Sequence, residues 1–251
     1  MTEDSSCKPS RRAFLAATSL VVGAVAASPL AAFAQTAGGA PLKIGTIGAG
    51  HEGGALGTLF AKAGHPVMFS SRNPESLKDL VADAGPTAQA GTVAQAVAFG
   101  DVILLAVPYP AVEEIGHDHG KAIASKQLVL DVSNPIPLRD GAAFVQGIAD
   151  QGGPGVVTAK LLPGAHIVRA FNAISYRSLT PNAHRTGEPL GIPIAGDEEK
   201  AIALATRLIK EIGFEPVLVG GLAMGKYLVP GTPLGGEHTP AEIRQIAATL
   251  K

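Results

Sequence analysis

The six residues Gly48-Ala49-Gly50-His51-Glu52-Gly53 carry glycines at the spacing G-x-G-x-x-G. That spacing has chemical meaning only where a strand runs into it and a helix starts from it, so that backbone amides gather around a pyrophosphate. Both conditions hold here. Residues 42–47 read as a strand, and residues 53–63 have helical patterning. Gly48 allows the tight turn, Gly50 lets the backbone reach the phosphates with no Cβ in the way, and Gly53 lets the helix pack close to the sheet. The helix then points its amide-rich N-terminus at the phosphates. Thr46, Ile47, Gly48, Ala49, Gly50, His51, Glu52 and Gly53 are therefore the first candidates for binding a dinucleotide. A glycine-rich turn in a fold that has lost its ligand is the alternative.

The end of the next strand discriminates between dinucleotides. A site for the non-phosphorylated cofactor usually places an acid there, on the ribose hydroxyls. Here residues 66–70 end in Ser70-Ser71-Arg72-Asn73, with no acid. A serine hydroxyl and a guanidinium hold a 2′-phosphate by charge-assisted hydrogen bonds. Ser71, Arg72 and Asn73 are thus assigned to NADP(H). Arg72 as a solvated loop residue, with the segment capping the following helix, is the plainer reading, and both roles can coexist.

Ligands in an open parallel sheet sit at the carboxyl ends of the strands. Three further strand ends suit that position: Val107-Pro108-Tyr109-Pro110, Asp131-Val132-Ser133-Asn134-Pro135 and Ala170-Phe171-Asn172. Val107 and Pro108 are expected to flank the cofactor. Asn134 and Asn172 are candidates to hydrogen-bond its carboxamide or a substrate, or else are turn residues. Residues 224–233, with Met224 and Tyr227, either cover the nicotinamide or belong to the core. His117-Asp118-His119 lacks the further ligands a metal needs, and no metal is expected. The one cysteine is Cys7. No nucleophile–base or paired-carboxylate motif is present, and no catalytic residue is assigned. Direct hydride transfer between stacked rings depends chiefly on positioning.

The elements that must position these residues alternate between short apolar β-rich runs (42–47, 66–70, 102–107, 127–132, 165–170, then 192–194 and 215–219) and helical segments. This is the pattern of an α/β protein, a Rossmann doubly wound parallel sheet with a small C-terminal extension. Residues 42–180 are expected to form the Rossmann NADP-binding domain. Residues 181–251 are expected to be a βα portion completing fold and cleft, with a last helix from about Thr239. The composition, 46% hydrophobic and 16% charged with a net charge of −1, gives no electrostatic case for nucleic acid. Ser10-Arg11-Arg12-Ala13-Phe14-Leu15, a mildly apolar run and Ala32-Phe33-Ala34 read as a twin-arginine signal peptide over residues 1–34, with a linker at 35–41. Recognition by the twin-arginine export machinery, a periplasmic or secreted location and no stable membrane insertion after cleavage follow as expectations. A homodimer is compatible with the sequence.

Gly45-Thr46-Ile47-Gly48-Ala49-Gly50, Ser71-Arg72-Asn73, Ala106-Val107-Pro108, Asp131-Val132-Ser133-Asn134-Pro135, Val168-Arg169-Ala170-Phe171-Asn172 and Ile194-Ala195-Gly196-Asp197 together resemble the NADP oxidoreductases dependent on coenzyme F-420. The resemblance runs from Leu42 to about Leu234. It implies a Rossmann domain with a small C-terminal portion, and reversible hydride transfer between NADPH and the deazaflavin. It also implies that the glycines, Ser71 and Arg72 bind NADP, with the loops after Val107, Asn134 and Phe171 lining the hydride-transfer cleft. The function expected is hydride transfer between NADP(H) and a small-molecule redox partner, a flat one such as coenzyme F-420 or a flavin. Two alternatives remain at this point: a non-catalytic NADP-binding carrier or sensor, and a hydroxy-acid or imine dehydrogenase. The second is weakened because only 80 residues follow Phe171 and much of that stretch reads as further βα units.

Overall fold

The structure, a computed structural model, describes residues 39–250. Residues 1–34, read above as a signal peptide, and the first residues of the expected linker lie outside the described residues. Eight strands form one sheet: β1 (Ile44–Ile47), β2 (Val67–Ser70), β3 (Ala88–Gly91), β4 (Val102–Leu105), β5 (Leu128–Asp131), β6 (Ile167–Arg169), β7 (Gly191–Gly196) and β8 (Glu215–Gly220). Their order is β3-β2-β1-β4-β5-β6-β7-β8, and every pairing is parallel except the antiparallel β6–β7. This is the mixed, mostly parallel sheet of a Rossmann-like α/β fold. The edge strand β3, Ala-Gln-Ala-Gly, has no apolar run to announce it and its two middle residues are exposed.

The central strands are buried on both faces, as their unbroken apolar runs require. Side chains alternate between the two layers. Ile44, Val102, Leu104, Leu128 and Leu130 pack with Leu56, Phe60 and Leu208 on one side. Ile47, Ile103, Leu105 and Val129 pack with Val112, Ile115 and Ile123 on the other.

Register positions the site. Ile47 stands opposite Ser70 on one side and Leu105 on the other, Leu105 opposite Asp131, and Asp131 opposite Arg169. The loops that leave β1, β2, β4, β5 and β6 therefore emerge level, along one edge of the sheet. The strand order reverses between β1 and β4, which opens the crevice where ligands bind in such sheets.

The C-terminal residues extend the same sheet. β7 reverses direction against β6, the helix Glu199–Glu211 crosses over, and β8 lies parallel to β7. The expected last helix is Pro240–Ala247. Thr239 caps it with a reciprocal pair: Glu242 N–H donates to Thr239 Oγ1 at 3.2 Å, and Thr239 N–H to the Glu242 carboxylate at 2.7 Å. Among the described residues no helix is long and apolar enough to cross a membrane.

Candidate active site

The loop after β1 is shaped by its glycines. Gly48 has φ +94°, a conformation costly for any residue with a side chain, and a Cβ there would stand 2.4 Å from the Ala106 carbonyl oxygen. A Cβ on Gly53 would stand 2.0 Å from the Gly48 oxygen, so helix and loop touch through backbone alone. Gly50 differs from both. It caps the helix His51–Lys62 without a side-chain bond, and a Cβ on it would meet nothing within 4 Å. The space before Gly50 is an open cradle in front of the helix's leading amides, which lack intrahelical acceptors.

A cleft of about 760 Å³ opens from this cradle. Its walls include Ile47, Gly48, Ala49, Gly50, Ser70, Ser71, Arg72 and Ser76, with Val107 and Pro108 from the loop after β4. Ser70 Oγ is buried on this wall without a hydrogen-bond partner. Ser71 Oγ accepts from the Asn73 amide at 3.1 Å, which shapes the loop that carries the exposed Arg72. A cradle that a Cβ would fill, an orphan hydroxyl and a free-standing guanidinium fit a pyrophosphate and a ribose phosphate.

A second cleft of about 420 Å³ shares Gly50, Val107 and Pro108 with the first. It is lined by His51, Glu52, Ser133, Asn134, Arg139, Phe171, Ile174 and Tyr176, among others. His51 and Tyr176 stack with ring centroids 4.5 Å apart and planes 10° from parallel. Glu52, the next residue along the helix, is half-buried, and its Oε1 is buried with no hydrogen-bond partner. Burial pushes the Glu52 carboxyl up to about 7, against a backbone hydrogen bond from Tyr176 that pulls it down. Phe171 holds φ +62°, a strained conformation for a bulky residue that costs about 1–3 kcal/mol. Its buried ring, edge-on to Phe214 with centroids 5.5 Å apart, keeps it there.

A buried polar network supports the floor of this second cleft. Arg169, on β6, donates to Asp131 Oδ2 at 2.6 Å, and both side chains are wholly buried. Thr158 also donates to Asp131 Oδ2, and the Ser133 amide to Oδ1. Arg169 Nη2 reaches both the Ser133 carbonyl and Asn134 Oδ1 at 3.0 Å. Asn134 Nδ2 then donates to the Asn172 carbonyl at 2.7 Å. Tyr109 donates to the Pro154 carbonyl at 2.6 Å. Burial first, and then the Asp131 charge, push its phenol up to about 12, so it stays protonated. The β5 and β6 loops are thereby locked to each other.

Of the residues expected from the sequence, Ile47, Gly48, Ala49, Gly50, Ser71, Arg72, Val107 and Pro108 line the first cleft. His51, Glu52 and Asn134 line the second, where Gly50, Val107 and Pro108 recur. Thr46 is fully buried beneath the loop, Gly53 lies at the helix–loop contact, and Asn73 shapes the Arg72 loop. Asn172 is buried and donates to the Ser133 carbonyl, so it braces the wall and does not form it. The structure settles one open alternative and changes one expectation. Met224 and Tyr227 line neither cleft but pack on the small cluster of Ala195, Val217, Leu228, Leu234 and Ile243. Among the described residues none beyond Tyr176 lines either cleft, so the C-terminal portion completes the sheet without lining the two clefts. His117-Asp118-His119 lies within the helix Ala111–Ile123, with Asp118 and His119 on the first cleft. Among the described residues no three metal-binding side chains gather. Sequence reasoning missed Arg139, Arg169 and Tyr176. Only the charged Arg169 within the apolar run of β6 gave any sign.

Residues 43–135 match the model of the family described as NADP oxidoreductase, coenzyme F420-dependent. The F420-dependent NADP reductase of Methanothermobacter thermautotrophicus is 28% identical over 207 residues, covering 77% of this chain and 87% of that protein. The crystal structure of a hypothetical protein from Sinorhizobium meliloti is 29% identical, with a TM-score of 0.67, covering 79% of this chain and 95% of that one. An imine reductase from Pseudomonas sp., 15% identical with a TM-score of 0.53, shares the fold, and the match covers 83% of this chain and 61% of that one. The family match spans β1 to the loop after β5, the elements that build the first cleft and part of the second, and with these relatives it supports an NADP-dependent oxidoreductase.

Proposed function

We propose that the protein transfers hydride between NADPH and a flat heteroaromatic redox partner of the deazaflavin or flavin kind. The observation that carries this reading is the meeting of two clefts at Gly50, with a phosphate-type wall on one side and an apolar, aromatic-edged wall on the other. Bound across Gly50, NADPH supplies a hydride at its nicotinamide ring. The Gly48–Gly50 backbone and the first turn of the helix His51–Lys62 hold the pyrophosphate. Ser71 and Arg72 select the 2′-phosphate. The Asn134 loop, fixed by Arg169, and the strained Phe171 set the wall against which the two rings lie. That wall is rigid, which suits a reaction governed by ring-to-ring geometry. Mixing NADPH-loaded protein with a deazaflavin and with FMN in a stopped-flow instrument tests the reading. Oxidation by one of them is the expected result, and bound NADPH that passes hydride to neither favours a binding protein.

We further propose that residues 1–34 direct export by the twin-arginine route to the periplasm or beyond, after folding and cofactor loading. The pair Arg11-Arg12 ahead of an apolar run and the small residues Ala32 and Ala34 support this. Replacing both arginines with lysine is expected to trap the precursor in the cytoplasm, which fractionation reads directly. Unchanged export would overturn the proposal.

A further inference from the structure

The two clefts offer different charges to a ligand. The first joins a backbone cradle to Arg72. Among the residues lining the second, Arg139 is the only arginine or lysine. It lies on the short helical turn Pro137–Asp140, which follows Asn134-Pro135-Ile136 and stops at Gly141, where φ is +89°. Its guanidinium is held along one edge. Nε donates to Asp140 Oδ1 at 2.7 Å, and Nη2 donates to Asp140 Oδ2 at 2.8 Å and to the Asn134 carbonyl at 2.6 Å. The carboxylate is fixed in turn by the Ile136 amide at 2.8 Å. The Arg139 hydrogen bond holds the Asp140 carboxyl below its ordinary value, so the pair stays ionised.

The two members of the pair differ in exposure. The Asp140 side chain is 2% exposed and that of Arg139 is 40% exposed. A ligand in the cleft therefore meets the cation, while the counter-charge is withdrawn from solvent. Among the described residues Nη1 makes no hydrogen bond, so two N–H donors remain at that end of the fork. Bracing the Asn134 carbonyl occupies Nη2 alone. A guanidinium already held in place loses little freedom when it binds, and its planar fork matches the oxygens of a phosphate. Val132, Phe171 and Ile174 supply apolar surface for a ring in the same cleft.

We infer that Arg139 is a specificity-determining residue of the second cleft, its guanidinium taking a phosphate carried on the side chain of the flat redox partner. The inference rests on the hydride-transfer reading proposed above and narrows its substrate class. A ring with a phosphorylated side chain is favoured over the same ring with a neutral one. The dinucleotide's own phosphates have separate partners in the first cleft, at the Gly50 cradle and Arg72.

Riboflavin and FMN share one ring and differ by a phosphate, and their 5-deaza analogues form a second matched pair. The first readout needs no turnover: each oxidised compound is titrated with NADP+-loaded protein and its fluorescence followed. Wild type is expected to bind the phosphorylated member of each pair roughly tenfold more tightly, between the worth of an exposed ion pair and that of a charged hydrogen bond. The preference is expected to shrink as salt is raised. Arg139→Gln is expected to bring the ratio close to one, and Arg139→Lys to keep part of it. Movement of the Asn134 loop in the variant would weaken both members of a pair alike and cancel in the ratio. A wild type without preference, or a ratio that survives Arg139→Gln, overturns the role of Arg139. A loss of NADPH affinity equal to the loss of FMN affinity in Arg139→Gln assigns the guanidinium to the cofactor and overturns it as well. Stopped-flow mixing with NADPH scores the reaction separately. Selective binding of FMN and its deaza analogue with no oxidation of NADPH by either overturns the hydride-transfer reading, so the two failures are distinct.

Discussion

Arg72 tests the cofactor assignment at the scale of a single residue. It is exposed beside Ser71 on the first cleft and is expected to contact only the phosphorylated dinucleotide. Arg72→Ala should weaken NADPH binding by about 1.5–3 kcal/mol, the worth of a charged hydrogen bond, and leave NADH binding unchanged. A fluorescence titration with both cofactors reads this, and equal loss for the two would remove Arg72 from the phosphate site. Glu52 makes a separate prediction about stability. Its folded-state value is raised from 4.5 to about 7, so between those values the folded chain keeps a proton the unfolded chain has lost. Its contribution is complete below about 4.5 and is lost as pH rises through 7. Urea unfolding between pH 4.5 and 8 should show a decline attributable to this group, and Glu52→Gln should flatten it.

The strand–loop–helix unit around Gly48–Gly53 separates folding from binding at the scale of an element. A methyl on Gly50 points into empty space, whereas one on Gly53 strikes the Gly48 carbonyl. Gly50→Ala should therefore keep the melting temperature within a few degrees while lowering affinity for NADPH, because the cradle is filled. Gly53→Ala should lower both, because backbone must give way. Thermal unfolding with and without NADPH distinguishes them, and a Gly50→Ala protein of full affinity would remove the pyrophosphate from the cradle. At the other end of the chain, Thr239→Ala removes the cap of Pro240–Ala247 and should cost about 1 kcal/mol of stability with no change in NADPH affinity. Both elements were legible in the sequence because their signals are local: the glycine spacing sits between an apolar run and a helix, and Thr239-Pro240-Ala241-Glu242 spells a cap. β3 was not legible, since Ala-Gln-Ala-Gly pairs with β2 along one edge only and needs no apolar pattern.

The buried pair Arg169–Asp131 acts at the scale of the whole molecule, tying the sixth strand to the fifth under the second cleft. Arg169→Met leaves the Asp131 carboxylate buried without its counter-charge and should destabilise the protein by about 3–5 kcal/mol, measurable by urea unfolding. The variant should also loosen the Asn134 loop and slow hydride transfer more than it weakens NADPH binding. Relations of this kind decide what the sequence alone could and could not determine. The sequence determined the α/β alternation, the glycine loop, the missing acid at the end of the second strand and the candidate loops at the strand ends. Each is written in neighbouring residues, and strand–helix periodicity and turn chemistry act over a few positions. Only the tertiary structure decided that the last two strands join the sheet antiparallel to β6, that Met224 and Tyr227 pack in a core away from the clefts, and that Asn172 braces a wall it does not form. It alone placed Tyr176 over His51 and buried the Glu52 oxygen without a partner. Burial and ion pairing depend on segments far apart in the chain, and the environment that raises a carboxyl exists only once those segments meet.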